Sequence, residues 1–212
     1  FVSRWIYGTY FRLTSKFEIK GLENVEKDKF FIVASNHVSA VDPFLISDAL
    51  NCPLAYMAKI ELYEKPISRL FMSMLGTFAV NREKLDVSTI KTALGLKKTK
   101  FKLGLFPEGT RTEKLAIENV SKGFAFLAKS LKCDILPVGI YGALKDQRNK
   151  LGNRLVINVG KPIPYDENIE HMIDECNGLI ELNMSGWNLL NVTTYLDYYF
   201  AEGTEIPKVN EK

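Results

Sequence analysis

The sequence predicts a single α/β domain, a mostly parallel central sheet flanked by helices, with an amphipathic helical segment in front. Short apolar runs at 30–35, 53–59, 77–82, 103–106 and 134–142 each read as a buried strand. Helical spacings or helix caps lie between them, so strands and helices alternate from residue 30 to about 140. No internal repeat or linker divides the 212 residues, a length that one core can fill.

Composition narrows the classes. Apolar content of 46% and charged content of 25% are those of a folded protein. A net charge of +3 with no nucleic-acid module argues against a nucleic-acid partner, and suits an anionic substrate or membrane surface. Cys52, Cys133 and Cys176 are odd in number and lack CxxC spacing, so they read as small buried apolar groups, with no disulfide framework and no metal site. No run of 18 apolar residues is present, nor a signal peptide. The sequence starts at Phe1, which leaves open a membrane segment before it.

Residues 1–17 mix aromatic and aliphatic side chains with Arg4, Arg12 and Lys16, and contain no acid. Two readings stand: a helix in the membrane interface, or a helix packed on the domain. Gly8 weakens the helix in either case. Phe17–Gly21 is a short strand and turn, and 24–29 a polar loop. After the strand at 30–35 comes Asn36-His37-Val38-Ser39-Ala40-Val41-Asp42. Ser39 and Asp42 are spaced as a capping box, or Asp42 caps with Pro43 as the first helical residue, for a helix over about 44–50.

The strand at 53–59 ends in Lys59. Ile67, Leu70, Phe71, Met74 and Leu75 follow at helical spacing, a face expected to pack in the core. Gly76 ends that helix, and the strand 77–82 finishes in Arg82. Asp86 or Ser88 caps a helix to about Lys98, whose lysine cluster suits a helix C-terminus. The strand 103–106 runs into Pro107-Glu108-Gly109-Thr110-Arg111, and a helix spans about 120–132. Strands at 134–142 and 155–160, a proline loop at 162–164 and a helical stretch over 167–200 complete the chain. His171, the one other histidine, reads as a helix-surface residue.

Chemistry gathers at the strand ends. His37 is the first candidate for acid–base work near neutral pH, and Asp42 could fix its tautomer. Taken alone, the pair could equally be a strand-end histidine beside a helix cap. Lys59 with Glu61, Arg82 with Glu83, and Glu108 to Arg111 occupy other strand ends, and in open α/β sheets ligands collect at that rim. A base beside several cations suits a phosphate-bearing substrate with a reacting hydroxyl. No metal cluster, nucleophile elbow or dinucleotide loop is present, and Lys122-Gly123 lacks the full P-loop pattern.

His37-x4-Asp42, Lys59-x-Glu61-Leu62, Gly76 to Arg82, Phe106-Pro107-Glu108-Gly109-Thr110-Arg111 and Leu136-Pro137-Val138-Gly139-Ile140 occur in that order. Together they resemble the glycerolipid acyltransferase family typified by bacterial 1-acyl-glycerol-3-phosphate acyltransferase, over about residues 17–165. The resemblance implies His37 as general base and Asp42 as its orienting partner. It implies phosphate binding by Lys59, Arg82 and Arg111, with Glu108 and Gly109 shaping that pocket. The implied co-substrate is an acyl thioester of acyl-carrier protein or coenzyme A, with no other cofactor and no metal. The implied acceptor is a lysophospholipid, 1-acyl-sn-glycerol 3-phosphate, giving phosphatidic acid.

The resulting expectation is a membrane-interface segment at 1–16, a catalytic domain at 17–165 and a helical segment with a polar tail at 166–212. The protein is expected at the cytoplasmic face of a membrane, peripheral or monotopic. Backbone N–H groups near the His37 turn are the expected oxyanion donors. Other readings are a different acceptor (glycerol 3-phosphate, another lysophospholipid or a lyso-amino-acid lipid such as lyso-ornithine lipid), a hydrolase, or a catalytically silent lipid-binding protein.

Overall fold

The computed structural model describes residues 2–74, 76–80, 87–112, 122–150, 152–166 and 171. Among these, seven strands form one sheet: β1 (Lys16–Lys20), β2 (Ile32–Ser35), β3 (Leu54–Lys59), β4 (Thr77–Val80), β5 (Lys102–Leu105), β6 (Ile135–Tyr141) and β7 (Arg154–Val159). Their order across the sheet is β1-β7-β6-β2-β5-β3-β4. Every pairing is parallel except that of β6 with β7. β2, β5 and β6 are buried along their whole length, which is why they read as unbroken apolar runs.

The helices are α1 (Val2–Thr14), α2 (Asp42–Ala49), α3 (Pro66–Met74), α4 (Val87–Leu96), α5 (Lys122–Leu131) and α6 (Lys145–Lys150). The connections β2–α2–β3 and β3–α3–β4 step the same way across the sheet, so right-handed crossovers put α2 and α3 on one face. The connections through α4 and α5 step back and cover the other face. The core accordingly has two halves. Phe11 of α1 and Leu45 and Ile46 of α2 pack on one side with Val33 and Val138. Ala93 of α4 and Phe124, Leu127 and Leu131 of α5 pack on the other with Ile32 and Leu103.

The predicted elements are present with boundaries shifted by a few residues, and several details differ. α1 packs on α2 through Phe11, through Tyr7 stacked on Phe44 at 4.9 Å, and through Arg12 beside Asp48. Gly8 is there for close approach: a Cβ would stand 2.4 Å from the Asp48 carboxylate. The expected core face of α3 points outward at Ile67 and Leu70, which are 86% and 64% exposed. α6 has no counterpart in the sequence reading, because Lys145-Asp146-Gln147-Arg148-Asn149-Lys150 has no apolar period. The expected strand end at 81–82, the Asp86 cap and the helical stretch over 167–200 lie outside the described residues, His171 excepted. That residue is exposed, with Nδ1 3.5 Å from an Asp166 oxygen.

Candidate active site

β2, β5, β3 and β4 lie side by side and run parallel, so their carboxyl ends share one rim of the sheet. The described segments that leave those ends are 36–42, 106–112 and 60–63. Sequence order hides this neighbourhood, because β5 is the last of the four to be made yet pairs between β2 and β3.

His37 follows β2 in a turn that leads directly into α2. Its Nδ1 is 2.9 Å from Asp42 Oδ2. The same oxygen accepts the backbone N–H groups of Val38 and Ser39, each at 2.7 Å. Asp42 is fully buried in the first turn of α2, where the partial positive charge of the helix end favours a carboxylate. The alternative with Asp42 as cap is thus corrected, since α2 begins at Asp42 after Val41, which makes no side-chain cap bond. The box spacing of Ser39 and Asp42 is seen in the bonds: Asp42 reaches back to the Ser39 N–H, and Ser39 Oγ accepts the Val41 N–H at 3.5 Å. Of the backbone N–H groups near this turn, those of Val38 and Ser39 are engaged by Asp42.

An ionised carboxylate only accepts, so the imidazole proton sits on Nδ1 and Nε2 carries the lone pair. The histidine side chain is 16% exposed, and so reachable from the rim. Its inner face is covered by Phe106, stacked at 3.8 Å between ring centroids and 13° from parallel. Tyr56 stacks behind Phe106 at 5.4 Å and 15°.

Two further ties hold this turn. Asn36, buried, donates Nδ2–H to the Ile140 carbonyl at 2.9 Å and accepts the Ile140 N–H at Oδ1 over 2.8 Å, extending the contact of β2 with β6 by a side chain. Thr112 donates its N–H to the His37 carbonyl at 2.9 Å. Between Phe106 and Thr112 the loop turns at Gly109, whose N–H bonds the Phe106 carbonyl at 2.9 Å with φ at 72°. That left-handed conformation explains a glycine there.

Of the sequence-predicted residues, His37 and Asp42 are in direct contact. Glu108 is half-buried and Arg111 exposed, both on the loop bonded to the histidine turn. Lys59 is exposed at the end of β3, and Glu61 is exposed in the 3-10 turn that follows. Arg82 and Glu83 lie outside the described residues. Among the described residues no group of three or more His, Cys, Asp or Glu side chains could hold a metal ion. Sequence reasoning gives Asn36 and Phe106 a place in motifs without a role, and Tyr56 only a place in a strand. The available signal is spacing, since Gly104 and Phe106 share one face of the chain leaving β5.

The sequence profile of the Acyltransferase family matches residues 16–141, which contain the whole rim described above. The chain is 28% identical over 142 residues to a 1-acyl-sn-glycerol-3-phosphate acyltransferase of Borreliella burgdorferi, covering 66% of this chain and 54% of that protein. It is 29% identical over 144 residues to the protein of the same name from Bacillus subtilis, covering 66% and 70%. It is 31% identical over 151 residues to that of Streptococcus pneumoniae, covering 70% and 55%. The chain thus spans about half the length of the Borreliella and Streptococcus proteins. The crystal structure of the 1-acyl-sn-glycerophosphate (LPA) acyltransferase PlsC from Thermotoga maritima superposes with a TM-score of 0.70 at 21% identity, covering 88% of this chain and 78% of that one, a likeness of fold. On the match over 16–141, the chain belongs to the PlsC-like glycerolipid acyltransferase family.

Proposed function

We propose that the protein transfers an acyl group from a thioester of acyl-carrier protein or coenzyme A to the free hydroxyl of 1-acyl-sn-glycerol 3-phosphate, forming phosphatidic acid. The observation that carries this is His37 with Nδ1 held by buried Asp42, on a turn bonded to the loop of Arg111. The imidazole Nε2 takes the hydroxyl proton as the oxygen attacks the thioester carbonyl. Asp42 stabilises the imidazolium. As the tetrahedral intermediate collapses, the new C–O bond remains, the C–S bond breaks, and the imidazolium returns its proton to the leaving thiolate. Lys59, Arg82 and Arg111 hold the acceptor phosphate, with Glu108 and Gly109 shaping the loop around it. The names of the relatives support this acceptor.

The same reading places the protein on a lipid surface, at the cytoplasmic face, peripheral or monotopic. Trp5, Ile6, Tyr10 and Leu13 stand exposed on α1, in a segment with three basic residues and no acid. Such a helix lies in the interface with rings at headgroup depth. No helix among the described residues is long and apolar enough to cross a membrane.

Labelled acyl thioester is incubated with the protein and with His37→Ala, beside a panel of phosphate-bearing and phosphate-free acceptors. Transfer to 1-acyl-sn-glycerol 3-phosphate that the substitution abolishes is the expected result. Thioester loss without a lipid product indicates a hydrolase, and preference for another acceptor reassigns the substrate. Unchanged activity in His37→Ala overturns the mechanism. Deletion of residues 1–16 is expected to weaken flotation with anionic vesicles.

A further inference from the structure

Tyr56, Gly104 and Phe106 form a column that ends on the histidine. Gly104 pairs directly with Tyr56 across β5 and β3, and a Cβ at Gly104 would stand 2.3 Å from the tyrosine ring. The missing side chain lets the Tyr56 ring lie over β5 and reach Phe106. Tyr56 is only 4% exposed, and its hydroxyl has no hydrogen-bond partner among the described residues. A phenol in that setting serves through its ring, because its polar end gains nothing there. Phe106 is thereby held between two rings, 5.4 Å from Tyr56 and 3.8 Å from His37, both nearly parallel to it.

We propose that Phe106 is a positioning residue for the base, and that Tyr56, seated by Gly104, is the backstop that keeps it in place. The proposal rests on the reading of His37 as base. Asp42 fixes one edge of the imidazole and leaves rotation about that bond unrestrained; Phe106 closes one face and removes that freedom. It presents its π-face to the ring that becomes cationic during turnover, so it also favours the protonated form. Nε2 is then aimed at the rim by two contacts at right angles to each other, one in the ring plane and one above it. The titratable groups on the elements that meet the ring include Asp42 on α2, Tyr56 on β3 behind Phe106, and Glu108 and Arg111 on the loop after β5 that carries Phe106. The substitutions below leave the charged ones in place.

The test uses Phe106→Leu, Phe106→Tyr, Tyr56→Leu and Tyr56→Phe, beside His37→Ala. Phe106→Leu is expected to lower kcat roughly tenfold with little change in the acceptor KM. Loss of the π-face removes a contact to the imidazolium formed in turnover, so the acid limb of the kcat/KM profile moves to lower pH. The upfield ring-current shift of the His37 Hδ2 and Hε1 resonances is lost in the same variant. Phe106→Tyr and Tyr56→Phe keep profile and shift, while Tyr56→Leu loses part of both. A pH profile and His37 resonances unmoved in Phe106→Leu overturn the proposal. If Phe106→Leu does not fold, Tyr56→Leu supplies the same two readouts, and their failure to move overturns the proposal equally. Activity surviving in His37→Ala removes the reading beneath the proposal, and the ring-current shifts then still report on the stack itself.

Discussion

Thr112 donates its backbone N–H to the carbonyl oxygen of His37 over 2.9 Å. The bond joins the loop carrying Glu108 and Arg111 to the turn carrying the base, so the two shift together. Thr112→Pro removes the donor and leaves a carbonyl unsatisfied at a cost of about 1–3 kcal/mol. The expected outcome is a loss of acyl transfer of about tenfold or more, since small displacements of reacting groups are costly. Thr112→Ala retains the backbone bond and should lose less acyl transfer than Thr112→Pro in the same assay.

Asp42 Oδ2 collects three donors and has no room for an amide nitrogen. Asp42→Asn either turns an NH2 toward Val38 and Ser39 or loses the charge that holds the imidazole proton on Nδ1. A fall in kcat of about 10³- to 10⁴-fold is expected, by analogy with the tautomer-fixing aspartate of serine proteases. Single-turnover acyl transfer, with circular dichroism to verify folding, measures it.

Asn36→Leu has a different effect, because the asparagine serves both backbone groups of Ile140. Two buried polar groups lose their partner together, which should destabilise the protein by about 2–4 kcal/mol. Urea unfolding measures the loss, and Asn36→Asp should restore less than half of it, having no donor.

Burial, aided by the Cys52 thiol and the Asp42 carboxylate, pushes the Tyr56 hydroxyl well above the usual tyrosine range. In the unfolded chain the same group ionises near pH 10. Above that pH the unfolded state has lost a proton that the folded state keeps, so stability falls as pH rises, by about 1.4 kcal/mol per pH unit for each such proton. Below it the group contributes no slope. Tyr63, Tyr141 and Cys133 are raised by burial as well and add to the same slope. Tyr56→Phe should make the decline between pH 10 and 11 shallower by about one proton. At neutral pH it should match or exceed wild-type stability, having shed an unpartnered hydroxyl.

Cys52 and Cys133 are buried, and burial pushes the Cys133 thiol up to about 12 against the opposing pull of Lys97. Thiolate is the reactive form, so neither should react in the folded protein. In Cys176→Ser, a disulfide-exchange reagent at pH 8 is expected to titrate no thiol until denaturant is added, and two afterwards.

Much of the fold was legible because the buried strands declare themselves as apolar runs. The two ends of β2 show where such reading stops. Its interior, Ile32 to Ala34, is apolar and reads as a strand; Asn36 just beyond it reads as a loop residue, since nothing local announces a partner on β6. His37 and Asp42 were legible because their spacing is local. The stacking of Phe106 and Tyr56 on that histidine was not, because it depends on β5 lying between β2 and β3, a long-range pairing without local trace. Ile67 and Leu70 show the converse: helical spacing gives a shared face and leaves open what that face meets.

The pairing order of the sheet also dates the protein during its own synthesis. Among the described residues β2 pairs with β5 and β6 alone, and both are translated after β3 and β4. A nascent chain that has reached Lys100 therefore holds the histidine turn with no strand on either side of it. Closing those long loops is the slow, entropically costly part of folding. The Thr112 tie can close as soon as β5 and its loop are out, whereas the Asn36 clamp waits until Ile140 has cleared the ribosome.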